Sequence, residues 1–119
     1  MKSVPDDLAD AADRLEAALR DADARWAKAV EIVQESTSTQ DEAFARAAGS
    51  SGLVLLALRQ TAGRGRLGRS WADDRGLGLS MTIVMRNLRP EHLAIASGVA
   101  TCRAVESLLS NGTDTYEHV

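Results

Sequence analysis

An α+β fold, a mixed sheet with flanking helices, is predicted by three observations. Apolar residues recur at three- and four-residue spacing near both ends of the chain. Between those stretches lie short apolar runs, Leu53 to Leu58 and Leu77 to Met85, with the length and flanks of strands. The order of the elements mixes helices and strands instead of segregating them. With 119 residues, 45% apolar and 26% charged, the chain fits one domain of ordinary composition.

Residues 5 to about 28 read as an amphipathic helix. Pro5 suits a first helical position, and Asp6 and Asp7 suit the positive N-terminal end. Leu8, Ala12, Leu15, Leu19, Ala22 and Trp26 form its apolar stripe, which is rich in Ala and predicts weak, peripheral packing. No second helix pattern precedes residue 30, so a winged-helix DNA-binding domain does not fit ahead of the main domain. The division expected is residues 1–29 as an N-terminal helical extension and 30–119 as the main domain.

Val30 to Val33 predicts a short strand. The polar run Glu35-Ser-Thr-Ser-Thr-Gln-Asp-Glu42 follows. Ser38 or Thr39 can cap a helix from Gln40 to Ala48, with Asp41 and Glu42 in its first turn and Gly49 as its stop. Four hydroxyls exceed the needs of one cap, so a polar ligand contact competes with the capping role. Leu53 to Leu58 is a buried strand. Leu77 to Met85 is read as a second buried strand, with Leu79, Met81, Ile83 and Met85 on one face and Ser80 and Thr82 on the other. Pro90 opens a last helix, with Ile95, Val99, Cys102, Val105 and Leu109 on one side and Asn111-Gly112 as its end. Thr115 to Val119 reads as the start of a strand with nothing after it, so the domain is expected to be incomplete at its C-terminus.

Charge and cysteine content exclude some functions. The net charge of −3 argues against a general nucleic-acid binder. No apolar run exceeds six residues, which predicts no membrane partner. One cysteine, Cys102, forms no internal disulfide, and a cytoplasmic protein is the simplest reading. Twelve of the 14 basic residues are Arg, and residues 59–69 hold four Arg and no acid. A local Arg cluster inside an acidic chain points to one compact anionic ligand. A solvated basic loop competes with that reading.

The cluster lies in Gln60-Thr-Ala-Gly63-Arg64-Gly65-Arg66-Leu67-Gly68-Arg69-Ser70-Trp71, read as a long mobile loop. Its glycines match G-x-G-x-x-G, but a dinucleotide site needs a crossover helix there, and no room exists before Leu77. Nor does a Gly-Lys-Ser/Thr follow, as a P-loop requires. The glycines let backbone approach a ligand, the arginines offer planar charged forks to carboxylate or phosphate, and Trp71 offers a face for a flat ring.

This segment resembles the signature of the biotin protein ligases, nearly residue for residue. Glu35 to Ala43 resembles that family's Ser-Thr-Asn element, with Gln40 in place of the usual Asn. The strand after the loop and the helix after Pro90 have counterparts as well, so the resemblance covers roughly residues 26–119. It implies activation of biotin by ATP, with Mg2+ accompanying the nucleotide, to give biotinyl-5′-adenylate. Transfer to a lysine of a biotin carboxyl carrier protein domain would follow. By the same likeness Ser38, Thr39, Gln60, Gly63 and Arg64 would bind biotin. Arg66 and Arg69 would offset negative charge as catalytic groups, and Arg66, Arg69 and Trp71 would hold the nucleotide; no protein-bound metal is implied. The family's Lys-Trp-Pro-Asn-Asp segment and a later lysine have no match up to Val119. The departure leaves a non-catalytic biotin-binding or regulatory remnant, or one half of a two-chain ligase, as alternatives. It also predicts self-association or a second chain that completes the sheet.

Overall fold

The computed structural model describes residues 6–73, 78–86 and 88–116. Two compact units emerge, Met1–Arg86 and Asn87–Val119.

In the first unit, helix α1 (Asp6–Asp21) is followed by strand β1 (Ala29–Val33), helix α2 (Thr39–Ala47) and strand β2 (Leu53–Ala57). Strands β3 (Gln60–Arg64), β4 (Ser70–Asp73) and β5 (Ser80–Ile83) complete it. β2 is the middle strand of a mixed sheet, parallel to β1 and antiparallel to β5. Its unbroken apolar sequence has a direct cause, because both of its faces are covered. Leu53 and Leu55 pack with Ala43 and Ala47 of α2. Val54 and Leu56 pack with Val30 and with Ala12, Leu15 and Leu19 of α1. α1 is therefore a covering layer of the sheet, closer packed than its Ala content suggested.

α1 also ends sooner than the expected residue 28. Asp23 takes a left-handed conformation, φ 57°. The Asp23 amide bonds the Arg20 carbonyl at 3.0 Å and the Ala24 amide bonds the Leu19 carbonyl at 2.9 Å. This is a Schellman ending built on Asp instead of Gly. Trp26, counted on the helical stripe, lies beyond it and is partly exposed. α2 starts one residue before its expected start, with Ser38 as its N-cap, and ends through left-handed Ala48 before Gly49.

Two expectations change on the C-terminal side of β2. The glycine and arginine segment is not a long loop. It is a two-stranded hairpin of β3 and β4, joined by a 3₁₀ turn at Arg66–Gly68. The residues have little strand propensity, yet β3 and β4 pair with each other from Gln60↔Asp73 to Arg64↔Ser70. β5 is not the buried strand expected. Met81 is 54% and Ile83 39% exposed, while Thr82 faces α2.

The second unit is α3 (Pro90–Tyr116). It runs through Asn111-Gly112, where an end was expected. One internal glycine costs about 1 kcal/mol relative to alanine, too little to end a long helix that is already propagating. Thr115 and Tyr116 are helical, not strand, and residues 117–119 lie outside the described residues. The stretch Pro90–Asn111 is long and apolar enough to cross a bilayer, by length and composition only. The six-residue-run criterion had excluded such a span. The core helix of a globular domain passes the same test, and this one carries Glu91, Arg103 and Glu106.

Candidate functional site

The polar run after β1 and the start of β3 are distant in sequence but pair directly. The Ser36 amide donates to the Arg59 carbonyl at 2.9 Å, and the Thr61 amide returns a bond to the Ser36 carbonyl at 3.0 Å. The Ala62 amide reaches the Thr37 carbonyl at 2.7 Å. This backbone clamp sets the N-terminus of α2 against the first residues of the hairpin.

Three of the side chains that meet there, Ser38, Thr39 and Gln60, are among the expected site residues. Ser38 and Thr39 are buried, 2% and 4% exposed. The Ser38 hydroxyl accepts the Asp41 amide at 3.3 Å, so the capping role holds for this residue. Thr39 does something else. Its backbone amide donates to Oε1 of Gln60 at 2.9 Å, and its hydroxyl reaches the same oxygen at 3.2 Å. The Thr39 hydroxyl also meets that of Thr82 at 2.9 Å. A pocket of about 240 Å3 opens here, lined by Ser38, Thr39, Gln40, Gln60, Arg64, Ser80, Met81 and Thr82. Seven of those eight side chains are polar or charged.

Two glycines of the hairpin are needed for close approach. A β-carbon on Gly63 would lie 2.1 Å from Nε2 of Gln60, and one on Gly65 would lie 2.5 Å from the Trp71 indole nitrogen. Gly68 alone of the three adopts a positive φ, at 73°. The turn is closed by the Gly65 amide on the Arg69 carbonyl at 2.7 Å, and Leu67 projects from it, 96% exposed.

Beside the polar pocket is an open cleft of about 920 Å3, lined by Gln40, Arg64, Gly65, Arg66, Leu67, Arg69 and Trp71. Gln40 and Arg64 belong to both hollows and form their common wall. Arg64 is partly committed, because its Nε bonds Asp41 Oδ1 at 2.6 Å. Arg66 and Arg69 make no ion pair among the described residues, so their charge stands open to an anion. Trp71 is 66% exposed at the edge of the cleft.

Of the expected site residues, Ser38, Thr39 and Gln60 line the pocket, Arg64 lines both hollows, and Arg66, Arg69 and Trp71 line the cleft, while Gly63 is buried beneath Gln60 and lines neither. Sequence reasoning missed Thr82, Ser80 and Met81 as lining residues and Asp41 as the partner of Arg64. The polar phase of β5 was the available signal for Ser80 and Thr82. The Asp41 pairing spans 23 residues and has no local signal.

A small polar pocket adjoins an arginine-lined cleft, at a helix N-terminus and beside a mixed sheet. Residues 30–119 match the family described as the Biotin/lipoate A/B protein ligase family, and the chain belongs to that family. A relative with a curated name is the Biotin--[acetyl-CoA-carboxylase] ligase of Mycobacterium tuberculosis (strain ATCC 25618 / H37Rv), 33% identical over 89 residues. That alignment covers 68% of this chain and 34% of the relative, so the chain spans about a third of its length. No solved structure matches.

Proposed function

We propose that this chain carries the biotin- and adenylate-binding surface of a biotin protein ligase. The observation that carries the reading is the common wall of Gln40 and Arg64 between a polar pocket and an arginine-lined cleft. Biotin has this layout: a ureido ring at one end and a carboxylate at the other. Within a biotin/lipoate family, the pocket's hydroxyl and amide lining favours the ureido ring over the apolar dithiolane of lipoate.

Ser38, Thr39 and Gln60 bind the ureido ring. The backbone from Gly63 to Arg66 follows the carboxylate and the α-phosphate, with Arg64 at the junction. In the first step a carboxylate oxygen of biotin attacks the α-phosphorus of ATP, and the bond to the bridging oxygen breaks. Biotinyl-5′-adenylate forms and pyrophosphate leaves. Two anions must be held together for this, and fixed positive charge is the large stabilising term. Arg66 and Arg69 supply it in this chain, and Trp71 packs on the adenylate. In the second step the amine of a carrier-domain lysine attacks the acyl carbon, giving an amide, AMP and a proton. Mg2+ enters with ATP, on the phosphates. No cluster of three metal-ligating side chains occurs among the described residues.

The remaining expectations belong to the same proposal. Helix α1 is an N-terminal extension of the domain of residues 30–119, and the reaction takes place in the cytoplasm. The outward row of Leu79, Met81 and Ile83 supports a further copy or a second chain on that side of the sheet.

The test is biotin-dependent exchange of labelled pyrophosphate into ATP by the purified protein. The proposal expects exchange that requires biotin and is not supported by lipoate. Exchange that is equal with lipoate, or independent of biotin, would contradict it.

A further inference from the structure

We propose that Thr82 is a positioning residue that fixes, through Thr39, the donor face that Gln60 presents to the pocket. The orientation of the Gln60 amide follows from hydrogen-bond arithmetic. The Thr39 backbone N–H can only donate, so the atom 2.9 Å from it is the amide oxygen. The same oxygen lies 3.2 Å from the Thr39 hydroxyl, which must therefore also donate to it. A hydroxyl has one proton. With that proton spent on Gln60, the 2.9 Å contact between the Thr39 and Thr82 hydroxyls requires Thr82 to be the donor. The chain of donation thus has one direction, Thr82 to Thr39 to Gln60.

The consequence is chemical selectivity. With Oε1 used twice, Gln60 keeps only its Nε2 protons for a ligand, and Nε2 has no acceptor among the described residues. That nitrogen rests on Gly63, which has no side chain to displace it. The pocket therefore asks for a hydrogen-bond acceptor at this point, such as the carbonyl of a cyclic urea, and disfavours a donor there. Thr82 reinforces this selectivity from the neighbouring strand by holding the Thr39 hydroxyl as a donor to Gln60. β5 presents it toward α2 because the apolar Met81 and Ile83 take the opposite face.

Two measurements test the relay, with Thr82→Val and the conservative Thr82→Ser. The first needs no ligand: the side-chain amide signal of Gln60 in a ¹⁵N–¹H correlation spectrum. It should move and broaden in Thr82→Val and return toward the wild-type position in Thr82→Ser. An unmoved Gln60 signal in Thr82→Val would overturn the relay. The second rests on the biotin reading above. It compares affinities for biotin and for 2-iminobiotin, whose protonated guanidine puts a donor where biotin has its carbonyl. Wild-type protein should favour biotin, and Thr82→Val should narrow that ratio roughly 3- to 10-fold, with recovery in Thr82→Ser. An unchanged ratio would overturn the relay. Wild-type protein that binds neither compound would overturn the biotin reading instead, and the spectrum of Gln60 would still decide the role of Thr82.

Discussion

Nε2 of Gln60 lies on the bare backbone of Gly63, where a β-carbon would come within 2.1 Å of it. The two residues are three apart on β3, so the strand folds its own side chain back along itself. The glycine that looks like loop punctuation in the sequence is a seat for the pocket's amide.

Gly63→Ala should expel the Gln60 side chain from this seat. The obstructing group is the end of a flexible side chain, so the hairpin itself survives. The expected result is a native circular dichroism spectrum with two hydrogen bonds to Thr39 lost, and biotin affinity reduced roughly 5- to 100-fold by that loss. Wild-type affinity in Gly63→Ala would separate Gln60 from ligand binding.

Arg66→Ala should reduce affinity for biotinyl-adenylate roughly 10- to 150-fold, the worth of one charge-assisted contact. The residue is in the exposed 3₁₀ turn and makes no ion pair among the described residues, so folding should be unaffected. Calorimetric titration with biotinyl-adenylate checks this, and unchanged affinity removes Arg66 from the site.

Limited trypsin digestion should distinguish the hairpin's arginines. Arg64 is in a paired strand and tied to Asp41, whereas Arg66 is in the turn beside Leu67. Cleavage after Arg66 should precede cleavage after Arg64, and biotinyl-adenylate should slow both. Equal digestion with and without the ligand would show that the turn does not close on it.

Much of this was legible in the sequence, and the failures have physical reasons. β2 could be read because an apolar run covered on both faces needs no partner to explain it. The Gly-Arg segment could be read as a ligand site from its chemistry, but not as a hairpin. Its residues have little strand propensity, and the start of β3 is bonded to Ser36 and Thr37, more than 20 residues earlier, of which local propensity carries no trace. The alternation of β5 was legible, but its exposure was not. Apolar residues on an edge strand mark a buried face only when something covers them, and α1 covers Val54 and Leu56 of β2 while Met81 and Ile83 remain exposed. Thr82 was missed because alternation alone does not say which face of the strand meets α2. The helix α1 ended early because Asp23 adopted a left-handed conformation that favours glycine.

The central claim is that the polar pocket and the arginine cleft together hold biotin and its adenylate. Isothermal titration of the purified protein with biotin, lipoate and biotinyl-adenylate tests it most directly. The account predicts saturable binding of biotin, no measurable binding of lipoate, and tighter binding of biotinyl-adenylate than of biotin, because only the adenylate engages both hollows. Lipoate binding as tight as biotin, or biotinyl-adenylate no tighter than biotin, would contradict it.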